Sequence, residues 1–288
     1  MRVIRTVSEM RDAAGRARSE GRHLALVPTM GSLHTGHLKL VEEARNHADH
    51  ITVSVYVNPT QFGPTEDFKR YPRDLDKDLS ALESIGGVDV VYAPEDREMY
   101  PEGDVTFVTV EKLGTHLCGD SRPGHFRGVT TVVSRLFIHC MPHIGVFGLK
   151  DAQQFFILRR MTKDLGFDMR LVGVPTVRED DGLAMSSRNA YLSAEERCQS
   201  VVLSRAVTIA QRLILEGEQH PQAIVINMLK TLESVPLARV QYASVVDTDT
   251  LQPLNRITSG QEVLAAVAVF FGQTRLIDNS ITRSPAAG

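Results

Sequence analysis

Three cysteines in 288 residues, at positions 118, 140 and 198, are odd in number and widely spaced. That pattern argues against a disulfide framework or a zinc site, and reads as reduced, buried or incidental thiols. Long apolar runs are missing too. The longest, Val263–Phe271, is about half of what a membrane-spanning helix needs. The opening residues MRVIRTVSEMRDAAGRARSEG lack the apolar stretch of a signal peptide, so a cytoplasmic location without a membrane partner is expected. Neither sign of charge dominates. Lys and Arg total 32 against 35 Asp and Glu, a net charge of −3, with a pI near 6.4. Nucleic acid is therefore not an expected partner, although a local basic pocket for a small anion remains open. There is no GxxxxGK[ST] phosphate loop, no GxSxG elbow, no repeat and no low-complexity tract.

What is present is ordinary soluble-protein composition, 42% hydrophobic and 23% charged, in a chain long enough for one or two domains. The first half alternates strand-like and helix-like segments. Leu24–Thr29 is a short apolar run; Leu38, Val41, Ala44 and Ala48 follow at helical spacing; Ile51–Val57 is β-branched. Together they make a βαβ unit. Further strands are expected at Val88–Tyr92, Val105–Val110, Ile144–Phe147 and Met169–Val174, and helices at Asp74–Ile85, Thr130–His139 and Asp151–Leu165. This alternation predicts an α/β fold with a Rossmann-like, doubly wound parallel sheet and ligands at the carboxyl ends of its strands. Beyond about residue 176 the pattern changes to a polar loop, 179–189, and then a long helical stretch, 194–215, opened by a Ser193/Glu196 capping box. A helix at Pro221–Leu232 and strands at Val240–Asp247 and Glu262–Phe271 follow. The expected organisation is a Rossmann-like domain over 1–175 and a smaller α+β lid domain over 176–288.

Polar clusters fall at the strand ends of this scheme. Residues 28–37, PTMGSLHTGH, place His34 and His37 where a strand gives way to a helix. A helix start offers unpaired N–H groups and partial positive charge, which suit phosphate. A glycine-rich turn with two surface histidines is the competing reading, and no Cys or acidic residue nearby completes a metal set around them. Asn58 and Gln61, after the second strand, can orient a hydroxyl or carboxylate through their amides, or simply serve the turn. In FGLKDAQQ, Lys150 can neutralise a phosphate, Asp151 can cap the helix or bind a ribose, and Gln154 lies one turn on. Met185-Ser186-Ser187-Arg188-Asn189 reads either as a lid closing over a polyphosphate or as a solvated loop. Residues 121–128, SRPGHFRG, read either as lining for a site or as a basic surface loop.

These five segments, with VNPTQFGPTEDFKRYPRDLDKD continuing the second, resemble the pantothenate synthetase (pantoate–β-alanine ligase) family of HIGH-type nucleotidyl transferases, over about residues 1–280. Two departures are local: Leu149 stands where Glu or Lys is common, and Ala152 where an aromatic is common. The resemblance implies condensation of (R)-pantoate with β-alanine at the expense of ATP, giving pantothenate, AMP and pyrophosphate through a pantoyl adenylate, with Mg²⁺ shielding the polyphosphate. It implies catalytic roles for His34, His37, Lys150, Ser186, Ser187 and Arg188, with His37 as proton donor. ATP would be bound by Met30, Gly31, Ser32, Leu33, His34, Thr35, Gly36 and His37. Gly148, Leu149, Lys150, Asp151, Val177, Met185, Ser186, Ser187 and Arg188 would complete that set, with Gly148, Asp151 and Val177 on the adenosine side. Met30, Gln61 and Gln154 would face pantoate, with Asn58 and Tyr71 in support. A homodimer is implied as well. No residue of these motifs is assigned as base for the β-alanine ammonium. A transferase that stops at an adenylylated product, and a non-catalytic nucleotide-binding module, are the alternative readings.

Overall fold

The structure is a computed structural model that describes residues 1–64 and 66–286. The chain divides into two compact units. The first comprises Met1–Val110, Arg122–Leu149 and Ile157–Pro175; the second comprises Glu111–Ser121, Lys150–Phe156 and residues 176–286.

The first unit is built on a six-stranded parallel sheet of β1 (Arg2–Ile4), β2 (Leu24–Thr29), β3 (His50–Val55), β4 (Val90–Tyr92), β5 (Ile144–Gly148) and β6 (Arg170–Val174), in the order β1-β4-β3-β2-β5-β6. The chain moves outward from β2 to β3 and β4 on one side, then returns to β5 and β6 on the other. The gap between the carboxyl ends of β2 and β5 is therefore the topological switch point, where open α/β sheets bind ligands. Strand β2 is buried on both faces at Leu24, Ala25, Leu26 and Val27, as a strand covered by helices on each side must be. On one face Ala25, Val27, Ile51, Val53, Val91, Ile144 and Val146 pack with Val41 and Leu82 of the crossover helices.

The helices of the first part of the chain are α1 (Val7–Ser19), α2 (Thr35–Arg45), α3 (Leu75–Ile85), the short α4 (Asp96–Met99) and α5 (Cys118–Ser121), α6 (His125–Cys140) and α7 (Ala152–Asp164). Strand β1 and helix α1 were not expected from periodicity. Helix α1 is fixed by Thr6, which caps it by accepting the Glu9 N–H. The strand expected at Val105–Val110 does not form. Val105 and Phe107 are exposed. The backbone of Val108 is satisfied by helix α6 instead: its N–H donates to Thr131 Oγ1 and its carbonyl accepts from Thr130 Oγ1. The β-branched run thus hangs on threonine side chains rather than on a neighbouring strand.

The second unit has an antiparallel sheet, β7 (Ala238–Asp247), β8 (Glu262–Phe271) and β9 (Thr274–Arg283), in the order β7-β8-β9. Strand β9 was not expected, because its apolar residues are interrupted by Asp278, Asn279 and Ser280. Helices α8 (Ala194–Ser200), α9 (Val202–Leu215) and α10 (Pro221–Leu232) accompany this sheet. The Ser193/Glu196 capping box is present, but the expected single helix over 194–215 breaks at Val201 into α8 and α9. Val202, Leu203, Ala206, Val207, Ala210 and Ile214 of α9 enter a core with Val263, Ala265, Val267, Val269 and Phe271 of β8. No helix among the described residues is long and apolar enough to cross a membrane.

Candidate active site

The turn after β2 is shaped by a carboxylate on α3. Gly31 and Ser32 both have positive φ, 78° and 53°, a conformation that costs a side-chain-bearing residue free energy. Asp78, 2% exposed, holds it: Oδ2 accepts from Ser32 N at 3.0 Å and Oδ1 from Leu33 N at 2.7 Å. A side chain at position 31 would bring its Cβ within 2.8 Å of Asp78 Oδ2. Burial raises the Asp78 pKa above the ordinary carboxylate value, against the lowering effect of the Leu33 and Ser32 N–H groups. Asp78 was missed in the sequence, although a charged residue one helical turn before Leu82, on the buried face of α3, is the signal that marks it.

The turn delivers His34 as the N-cap of α2, with His37 closing a reciprocal capping box. His34 Nδ1 accepts the Gly36 N–H at 3.1 Å, and His37 Nδ1 accepts the His34 N–H at 3.3 Å. A backbone N–H only donates, so each neutral ring carries its proton on Nε2 and presents that edge as a donor. The rings lie 4.1 Å apart between centroids. No acidic residue occupies the first turn of α2, so helix dipole and imidazoles favour an anion together.

Beside this turn, Gln61 closes the 3₁₀ turn Pro59–Gln61 that follows β3. Its Nε2 lies 3.1 Å from Met30 Sδ, which brings two of the expected pantoate-facing residues together. Asn58 is 1% exposed. Its Oδ1 accepts from Thr60 N, Thr60 Oγ1 and Tyr100 OH, while its Nδ2 donates to Gln61 Oε1 and the Gly128 carbonyl. All its hydrogen-bonding capacity is spent inside the protein, so Asn58 has none left for a ligand and orients Gln61 instead. Tyr71 is buried edge-on against Phe62. Gly148 ends β5 at the switch point and Leu149 begins the 3₁₀ turn Leu149–Asp151.

In the second unit, Lys150, Asp151 and Gln154 lie at the start of α7. Lys150 has no carboxylate within ion-pair distance among the described residues. Its carbonyl accepts from Asn279 Nδ2 at 2.8 Å. Ala152 is 2% exposed; a small residue fills that place. Gln153, not singled out in the sequence, is the structural member of the pair, with Oε1 on Cys118 N and Nε2 on the carbonyls of His116 and Leu113. The loop that carries Met185 is anchored on both sides. Met185 N donates to the Val177 carbonyl, Arg178 bridges to Ala184, and Asn189 Nδ2 donates to Glu179 and the Ala184 carbonyl. Ser186 caps the 3₁₀ turn Ser187–Tyr191 by accepting Arg188 N. Arg178, next to Val177, forms a two-pronged pair with the buried Asp278 at 2.7 and 3.0 Å. The adjacent residues Asp278 and Asn279 therefore hold Arg178 and Lys150.

Among the described residues, no three His, Cys, Asp or Glu side chains group to hold a metal ion. Each unit contributes donor chemistry of its own: imidazole N–H groups at a helix start in the first, and an ammonium, hydroxyls and a guanidinium in the second.

The pantoate–β-alanine ligase family matches residues 2–281. A pantothenate synthetase of Salinibacter ruber is 57% identical over 294 aligned positions, covering 100% of this chain and 99% of the relative. One of Geobacter sulfurreducens is 50% identical, covering 98% of each. Among solved structures, pantothenate synthetase from Thermus thermophilus superposes with a TM-score of 0.90 at 47% identity, covering 97% of this chain and 99% of that one. The Francisella tularensis pantoate–β-alanine ligase, solved with β-γ ATP and β-alanine, gives 0.78 at 28% identity, covering 98% and 97%. Sequence, sheet topology and near-complete coverage agree, and the chain belongs to the pantoate–β-alanine ligase family of enzymes.

Proposed function

We propose that this enzyme joins (R)-pantoate to β-alanine in two steps on one bound acyl adenylate. A carboxylate is a poor acyl donor to an amine in water, so one of its oxygens must first become part of a leaving group. In the first step a pantoate carboxylate oxygen attacks the α-phosphorus of ATP, a P–O bond forms, and pyrophosphate departs. In the second the β-alanine amine attacks the pantoyl carbonyl carbon, the C–N bond forms, and AMP leaves with the electron pair. The nitrogen loses two protons, one from the ammonium before attack and one as the amide forms, to water or to the departing phosphate.

The observation that carries this reading is the His34–His37 capping pair at the start of α2, beside the Met30–Gln61 contact and at the sheet's switch point. Two fixed Nε2–H donors at a helix start suit charge that builds on phosphate oxygens. Such prepositioned donors stabilise a transition state without forming a bond to it. We assign His34 and His37 to the phosphates; because Nδ1 of His37 accepts the His34 N–H, its neutral ring offers the departing group a hydrogen bond through Nε2–H rather than a proton. Lys150, Ser186, Ser187 and Arg188 are assigned to charge on the α-phosphate and pyrophosphate. Met30 and Gln61 face pantoate, together with Gln154; Gly148, Asp151 and Val177 belong to adenosine. The relative from Francisella tularensis, solved with β-γ ATP and β-alanine, supports two of the three substrates. Magnesium fits as part of the ATP substrate: its preference for phosphate and water ligands removes the need for a protein cage. We further propose a cytoplasmic homodimer, which light scattering tests for its assembly.

The test is production of AMP from ATP and pantoate with and without β-alanine. Sustained turnover only with the amine is expected. Rapid steady turnover without it would instead identify a transferase that stops at the adenylylated product.

A further inference from the structure

The segment 121–128 has no part in the chemistry above, and the structure does not leave it as a basic surface loop. Arg122 is half-buried and its charge is spent internally: Nε donates to Glu66 Oε1 at 2.5 Å and Nη2 to Glu66 Oε2 at 2.7 Å. Burial would raise the Glu66 pKa, but the Arg122 hydrogen bond and charge, with the Gly63 N–H, hold it below the ordinary carboxylate value. Arg122 Nη1 lies 2.9 Å from His125 Nε2. A guanidinium cannot accept, so that nitrogen must, which places the imidazole proton on Nδ1. Nδ1 in turn donates to the Gln61 carbonyl at 2.8 Å, and Arg122 Nη2 donates to the same carbonyl at 3.3 Å.

The first turns of α6 close against the same residue. A Cβ at Gly128 would lie 2.4 Å from the Thr60 carbonyl oxygen and 2.7 Å from Gln61 Cα, so only glycine allows this approach. The gap is spanned by Asn58 Nδ2, which reaches both the Gly128 carbonyl and Gln61 Oε1. Asn58 accepts Thr60 N through Oδ1, which fixes its amide orientation and then that of Gln61. Gln61 must accept on Oε1, so its Nε2 carries two N–H donors, one of which lies against Met30 Sδ at 3.1 Å.

We infer that Glu66, Arg122 and His125 form a positioning relay that, with Gly128 and Asn58, holds Gln61 so that it presents an N–H donor to the oxygen acceptors of the 2-hydroxy acid substrate. The inference rests on the assignment of Gln61 to pantoate. It explains two otherwise separate motifs, NPTQ and RPGHFRG, as the two halves of one clamp. The relay residues touch no substrate; they act through Gln61.

Steady-state kinetics on four variants test this. Gln61→Ala establishes the underlying role through a rise in KM for pantoate. His125→Leu removes the donor to the Gln61 carbonyl and is expected to raise that KM about ten-fold, the scale of one lost hydrogen bond, with KM for ATP nearly unchanged. His125→Asn places an amide N–H where Nδ1 stood and is expected to restore most of the loss. Should His125→Leu fail to fold, Glu66→Gln, which keeps the ring but removes the charge that anchors Arg122, is expected to raise the pantoate KM by a smaller factor. If Gln61→Ala leaves pantoate KM unchanged, the Gln61 assignment falls and the relay with it. If Gln61→Ala raises it but His125→Leu or Glu66→Gln does not, the relay alone is overturned. Equal losses in His125→Leu and His125→Asn, seen only as a lower melting temperature, likewise reduce the segment to a structural role.

Discussion

Asp78 Oδ1 accepts the Leu33 N–H at 2.7 Å, so a buried carboxylate on one crossover helix sets the turn that carries both histidines on another. Its second oxygen takes Ser32 N. Hydrogen bonds from main-chain donors to a charged acceptor contribute about 1.5–3 kcal/mol each. Asp78→Asn keeps the volume but turns an NH₂ group toward one of the two donors. The expected outcome is a loss of about 10²-fold in the rate of adenylate formation, the scale of small displacements of positioned groups, read as single-turnover pyrophosphate release. The stability effect has a sign. Because burial raises the folded-state pKa of Asp78 above the ordinary 3.8, the unfolded chain releases this proton first as pH rises. The group's contribution to stability is therefore greatest below 3.8 and falls as pH climbs through the higher folded value. That slope is expected to disappear in the Asn variant, and its persistence would assign it elsewhere.

The parallel sheet and the positions of His34, Gln61 and Lys150 at element ends were legible because strand and helix periods alternate cleanly around them. Residues whose partners lie far away in sequence were not. Asp78 meets the histidine turn 45 residues away from Leu33, and Asn279 meets Lys150 across 129 residues; local pattern carries no trace of either pairing. The Val105–Val110 run shows the opposite failure. Its β-branched composition is real, but Thr130 and Thr131 offered its backbone better partners than a strand did. Strand β9 was hidden because Asp278 and Asn279, which interrupt its apolar pattern, turn inward to hold Arg178 and Lys150.

His37→Ala and Lys150→Ala are expected to lower the rate of adenylate formation by about 10²–10³-fold, the cost of removing one prepositioned donor. Single-turnover pyrophosphate release reads this directly. Preserved release in either variant contradicts the assigned role. Lys150→Ala is expected to leave the melting temperature nearly unchanged, since among the described residues its ammonium makes no ion pair.

Acid sensitivity is expected from a histidine remote from the histidine turn. His139 is 9% exposed, and its Nδ1 shares a hydrogen bond with Tyr92 OH at 3.1 Å. Burial, with the charges of Arg135 and Arg11, pushes its pKa down to about 4 from the ordinary 6.5. Between those values the unfolded chain binds a proton that the folded one refuses. Stability is then fully present above pH 6.5 and is lost as pH falls toward 4, by about 3 kcal/mol. His139→Gln keeps a hydrogen-bonding partner for Tyr92 but cannot titrate. Its melting temperature is expected to fall less steeply than the parent's over this range. Parallel curves would remove His139 as the cause.

The Arg178–Asp278 pair separates the stability of the second unit from the placement of Lys150. Asp278 is buried to 1% of its side chain, whereas Arg178 keeps 31%. Removing the carboxylate alone strands a half-covered guanidinium, and Asp278→Ala is expected to cost about 3 kcal/mol, near the low end for a broken buried pair. Replacing both partners by apolar residues, Arg178→Met with Asp278→Leu, removes the stranded charge and is expected to cost less than Asp278→Ala alone. Asn279→Ala leaves the ion pair but takes away the donor to the Lys150 carbonyl, one neutral hydrogen bond of about 1 kcal/mol. If that bond positions Lys150, the Asn279 variant slows adenylate formation more than its small stability loss explains, measured well below its melting temperature. If the double apolar variant slows adenylate formation while Asn279→Ala does nothing, the anchor of Lys150 lies in Asp278 and not in its neighbour.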